Sequence, residues 1–172
     1  EAVLADTPGA GVAAGVAPET PRPAPGNSAP GWAATGGFAA NGDASPTGAG
    51  VGWRAEATNA SPAVLSWVDP IDLRSGSDAH LRFMSRLTSR ASSARVEVST
   101  DAMNWTTVAV VPPSDDWVSV DVNLSEYVGQ FVYVRFVFDA VPASLGVLPD
   151  VWWIGDVVVG PGNRFVTAAK RL

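Results

Sequence analysis

Gln130-Phe131-Val132-Tyr133-Val134-Arg135-Phe136-Val137-Phe138-Asp139 alternates by position. Successive side chains of an extended chain point to opposite faces. Phe131, Tyr133, Arg135 and Val137 therefore share one face, and Val132, Val134, Phe136 and Phe138 share the other. Both faces are largely apolar, which predicts a strand lying between neighbours in the middle of a sheet.

Moving outward from that run, the same period of two recurs. Ala79, Leu81, Phe83, Ser85 and Leu87 alternate with His80, Arg82, Met84, Arg86 and Thr88, which predicts a strand with one inner and one wet face. Residues 95–100 alternate likewise, Asp101-Ala102-Met103-Asn104 is a turn, and residues 105–111 are the return strand of a hairpin. Pro112-Pro113 ends it, because proline cannot donate to a ladder. Residues 117–122 and 151–159 are further strands, and the latter closes the fold. Leu124-Ser125-Glu126-Tyr127-Val128-Gly129 is a single helical turn closed by glycine. Residues 139–150, with two prolines and a glycine, form a long loop. Short strands at regular spacing, with no helical period of ordinary length, predict an all-β protein: an antiparallel β-sandwich.

Composition narrows the function. The chain has 172 residues, 47% of them hydrophobic, enough for one domain with a sizeable core. A net charge of −6 with only 16% charged residues argues against nucleic acid as a partner. No apolar run approaches the roughly 18 residues of a membrane-spanning helix. With no cysteine there is no disulfide and no thiol chemistry. The single histidine, His80, falls on the wet face of its strand, so neither a Ser-His-Asp site nor a zinc site has the side chains it needs. Asp69/Asp72 and Asp115/Asp116 read as turn residues, not as a carboxylate pair across a cleft. No catalytic residue is expected, and the protein is read as not an enzyme.

The first 50 residues are dominated by Ala, Gly and Pro. Residues 1–28 are expected to be an extended arm, stiffened by the polyproline-like run of residues 18–25. Residues 29–162 are the expected sandwich, and 163–172 a short tail. The arm has two readings. It is a linker, or it adds as a strand to a neighbouring copy's sheet edge through Val3, Leu4, Val12 and Val16. The opening Glu1-Ala2-Val3, without Met, fits a mature secreted N-terminus or a piece of a longer chain.

Several segments, taken in order, carry a resemblance. They are Leu65-Ser66, Pro70-Ile71-Asp72-Leu73, Ala79-His80-Leu81-Arg82-Phe83, and Val96-x-Val98-Ser99-Thr100-Asp101 with Trp105. Next come Trp117-Val118-x-Val120-x-Val122-x-Leu124-Ser125, Val132-x-Val134-Arg135-Phe136-x-Phe138 and Trp153-Ile154-Gly155-Asp156-Val157. The series resembles the MAM-like jelly-roll domains of bacterial secreted and cell-surface proteins. These include the cleaved-adhesin type and the accessory domains of immune-inhibitor-type metallopeptidases. The resemblance implies a jelly roll that is extracellular, lacks catalysis, and serves adhesion or binding through protein or glycan partners. Identical subunits are partners only in the arm's second reading, which makes the protein a subunit of an extracellular fibre or surface layer.

The resemblance also implies structural calcium, held by an acidic pair in the closing strand. Here Gly155 stands at the first position of that pair and only Asp156 matches. Calcium takes about six to eight oxygens, so Asp43 of Asn41-Gly42-Asp43 is the expected helper. The alternative is that Asp156 hydrogen-bonds a neighbouring loop. Among the seven Trp, Trp105 and Trp117 match structural positions of the family. Trp152 and Trp153 are adjacent and point to opposite faces. The resemblance packs the Trp153 side inward; Trp152 is then exposed, the candidate sugar contact, or buried under the 139–150 loop. Arg82 and Arg86 share a strand face; they bind an acidic glycan or a subunit, or form a solvated face.

Overall fold

The computed structural model describes residues 31–42, 45–47, 52–57 and 62–161. These residues form strands β1 (Trp32–Thr35), β2 (Phe38–Asn41), β3 (Gly52–Glu56), β4 (Ala63–Trp67), β5 (Ile71–Asp72) and β6 (His80–Thr88). They continue with β7 (Ser93–Ser99), β8 (Thr106–Val111), β9 (Ser114–Asn123), β10 (Phe131–Asp139) and β11 (Val151–Gly160). The helical turn expected before Gly129 is a single 3-10 turn at Ser125–Tyr127.

Two antiparallel sheets face each other. One has six strands in the order β1-β4-β10-β7-β8, with β5 also paired to β10; the other has five in the order β2-β3-β11-β6-β9. The decisive run, β10, lies inside the first sheet, hydrogen-bonded to β4, β5 and β7. β11 holds the equivalent place in the second, between β3 and β6. The fold class expected from alternation is the one observed.

The core fills the gap between the sheets. Phe136 sends its ring inward from β10, 5.0 Å from that of Phe83 on β6 and 6.0 Å from that of Trp152 on β11. Trp53, Phe138, Leu65, Leu81 and Ile154 complete a fully buried set. Fully burying an aliphatic or aromatic side chain of this kind contributes about 1.5–3 kcal/mol. β6 shows the predicted alternation in full: Leu81, Phe83, Ser85 and Leu87 are buried, and His80, Arg82, Met84 and Arg86 are not. The one polar member of the inner set, Ser85, accepts the indole N–H of Trp152 at 3.0 Å.

One element departs from the expectations. Asp115 and Asp116 belong to β9, which begins at Ser114. β9 is an edge strand bonded only to β6, so its outer carboxylates stay in water and do not oppose pairing. Thr35-Gly36-Gly37-Phe38 carries the chain from one sheet to the other. Gly36 has φ +67°, and a Cβ there would stand 2.3 Å from the Pro62 carbonyl oxygen. Only glycine fits that crossing.

The arm, with Val3, Leu4, Val12 and Val16, lies outside the described residues, as do Asp43 and the tail beyond 161.

Candidate functional site

β11 fixes which of the paired tryptophans faces out. Trp152 is aligned with Ala55 of β3 and Leu87 of β6, both buried. Its neighbour Trp153 is aligned with Arg54 and Arg86, both on the outer face. The expectation for this pair is therefore reversed. Trp152 is 0% exposed and cannot touch a ligand, because its ring belongs to the aromatic core and its N–H is taken by Ser85. Trp153 is the half-buried indole at the surface.

Two guanidinium groups frame Trp153. The Arg86 Cζ lies 5.0 Å from the ring centroid and the Arg54 Cζ 5.8 Å, both within cation–π range. Arg54 also pairs with Glu56, one strand step away on the same face. Further along the face, Asp121 of β9 bridges His80 and Arg82 of β6 at 2.5 and 2.6 Å. Partial burial opposes ionisation of Asp121, but the bonds from His80 and Arg82 prevail and lower its pKa. Trp117 is in phase with Ser119 and Asp121, since Val120 and Val122 pack inward, and it is half-buried on the same face. The outer surface of the five-stranded sheet is thus an array of guanidinium and indole planes on paired strands, not on loops.

The opposite outer face is built differently. Arg135 stacks 4.0 Å over Trp105 and Arg74 4.1 Å over Phe131. Each of these cations is matched: Glu97, only 6% exposed, accepts from Arg95 and Arg135, and Asp72 pairs with Arg74. The Arg74 side chain, helped by its backbone N–H, lowers the Asp72 pKa from 3.8 to about 2. Charge on this face is cancelled internally.

An apolar cavity opens between the sheets, lined by Trp32, Trp67, Leu81, Val134 and Val157. Its volume is about 30 Å³, room for one water and far too little for a sugar ring.

Asp156 sits at the β-bulge in β11, where the register against β6 shifts between Gly155 and Val158, and has φ +51°. Its carboxylate accepts from the hydroxyls of Ser45 at 2.8 Å and Thr47 at 3.0 Å. One carboxylate and two hydroxyls are too few donors for calcium, and no group of three or more acidic or histidine side chains gathers among the described residues. The described residues therefore do not fit a calcium site.

No protein-family model matches the chain, and no curated protein matches it. Solved structures do. A family 29 carbohydrate-binding module is 18% identical, with a TM-score of 0.51 over 80% of this chain and 82% of that one. The module TmCBM61, solved with β-1,4-galactotriose, is 14% identical, with a TM-score of 0.51 over 76% and 88%. A point variant of CBM29-2, solved with mannohexaose, is 16% identical, with a TM-score of 0.51 over 80% and 85%. The likeness is one of fold. It is the jelly-roll β-sandwich that these modules share with the present chain.

The signal for Trp153 was present in the sequence, since alternation alone assigns the pair to opposite faces. Which of the two is core depends on register against β3 and β6, which a single sequence does not carry. Among the described residues, no helix is long and apolar enough to cross a membrane.

Proposed function

We propose that this protein is a non-catalytic, extracellular glycan-binding module that engages its ligand on the outer face of the five-stranded sheet, with Trp153 at the centre. The observation that carries this reading is the Trp153 indole held between Arg54 and Arg86 on a central strand. A pyranose presents an apolar C–H side and a rim of hydroxyls. Indole and guanidinium planes suit the first, and guanidinium N–H donors suit the second. Paired strands hold these planes more rigidly than loops do. The similar solved structures are carbohydrate-binding modules, two of them solved with oligosaccharides, and this favours glycan over protein adhesion as the activity. His80 is engaged by Asp121, which supports the reading without catalysis.

The test is a binding screen on a glycan array, followed by titration of the best hit. Trp153→Ala is expected to weaken binding at least tenfold, whereas Trp105→Ala, on the opposite face, is expected to leave it within twofold. Equal affinity of wild type and Trp153→Ala for every ligand found would sink the proposal.

A further inference from the structure

Arg86 differs from the other arginines around it. Arg54 and Arg82, on the same sheet face, each pair with a carboxylate. Arg86 makes no ion pair among the described residues, although Asp115 and Asp116 open the adjacent strand β9. Its Nε–H is buried and has no hydrogen-bond partner. A buried donor left unsatisfied is costly, and a charged one more so. The group is therefore held in an unspent state, resting on the Trp153 ring.

The chemistry that relieves it is specific. The Nε–H and one Nη–H of a guanidinium form a planar two-donor edge, which matches the two oxygens of a carboxylate. Vicinal hydroxyls of a neutral sugar can also accept from both donors, but they leave the positive charge unmatched, and a hydrogen bond to a charged acceptor is the stronger one. To present this edge the side chain would have to turn away from Trp153, giving up the 5.0 Å cation–π contact and gaining a partner for the buried Nε–H. The chain as a whole carries −6, so long-range attraction does not gather anions here. An acid ligand must instead be recognised at short range.

We propose that Arg86 makes this sheet face select glycans bearing a carboxylate, that is, hexuronic acid units, over their neutral counterparts. This rests on the glycan-binding reading above and adds the ligand class. Trp153 packs against the sugar ring, and Arg86 holds the C6 carboxylate.

The experiment titrates the full chain with galacturonate, glucuronate and mannuronate oligomers and with neutral galactose, glucose and mannose oligomers of equal length. Wild type is expected to bind one uronate series at least tenfold more tightly than its neutral partner. That preference should shrink as salt is raised. Arg86→Gln is expected to lose the preference, its uronate affinity falling to that for the neutral series; Arg86→Lys should restore only part of it. Arg82→Gln, altering an arginine already paired with Asp121, should keep it. Binding to neutral oligomers without acid preference overturns the role of Arg86 and leaves the glycan reading standing. Acid preference that survives Arg86→Gln overturns it too. Binding to neither series, with the array also blank, overturns both.

Discussion

The indole N–H of Trp152 meets the hydroxyl of Ser85 at 3.0 Å in the fully buried interior, joining β11 to β6 across their shared ladder. Ser85→Ala leaves that donor without a partner, at a cost of about 1–3 kcal/mol. Urea unfolding should show a lower midpoint with an unchanged slope. An unshifted midpoint would mean that the bond adds nothing.

Asp150 clips the 89–92 turn to the start of β11. Its carboxylate accepts backbone N–H groups of Arg90 at 2.9 Å, Ala91 at 3.1 Å and Ser92 at 2.8 Å. Burial works against its ionisation, but the N–H groups of Ser92, Ala91 and Arg90 overcome this and take the pKa from 3.8 to about 2. The folded value lies below the unfolded one, so the carboxylate stabilises the fold fully above about pH 4, and this is lost as pH falls towards 2. Melting temperature should drop through that window in wild type, and less steeply in Asp150→Ala. At pH 7 that variant should be about 1–3 kcal/mol less stable. Parallel acid profiles for the two proteins would contradict this.

Gly36→Ala places a methyl 2.3 Å from the Pro62 oxygen at a residue whose φ is +67°. Backbone must move, and a loss of at least about 1–3 kcal/mol is expected by thermal or urea unfolding. Gly129→Ala offers a control for φ alone, because its added methyl meets nothing within 4 Å. It should lose less; equal losses would show that the crossing at Gly36 has room to spare.

Calcium should leave the melting temperature unchanged. Among the described residues the cluster holds one carboxylate, already accepting from Ser45 and Thr47, too few ligands to retain the ion. A fall in melting temperature with EDTA, reversed by calcium, would place Asp156 in a metal site completed by residues such as Asp43.

The fold was legible because alternation is a local property. The inner set of β6 and the two apolar faces of β10 could be assigned residue by residue, and the hairpin of β7 and β8 turns where Asp101 was expected to turn it. Asp101 accepts backbone N–H groups of Met103 and Asn104 there. The site was legible only in part. Arg86 could be placed on a wet strand face, but its pairing with Trp153 and the burial of Trp152 depend on the alignment of β11 with β3 and β6, which are distant in sequence. The start of β9 was missed for a different reason. Asp115-Asp116 after two prolines has a turn composition, and the exposure of an edge strand makes that composition tolerable.

The place of β11 also sets an order of events as the chain is made. β3 and β6 have no direct hydrogen bonding to each other; each waits for the strand that ends at Gly160 to lie between them. Until it arrives, Phe38 and Phe138 lack the indole of Trp152 beside them, and one half of the molecule stays open. Closure by so late a strand means a high contact order and slow folding. A ribosome carrying the chain short of β11 would therefore hold a half-open sandwich, a substrate for chaperones.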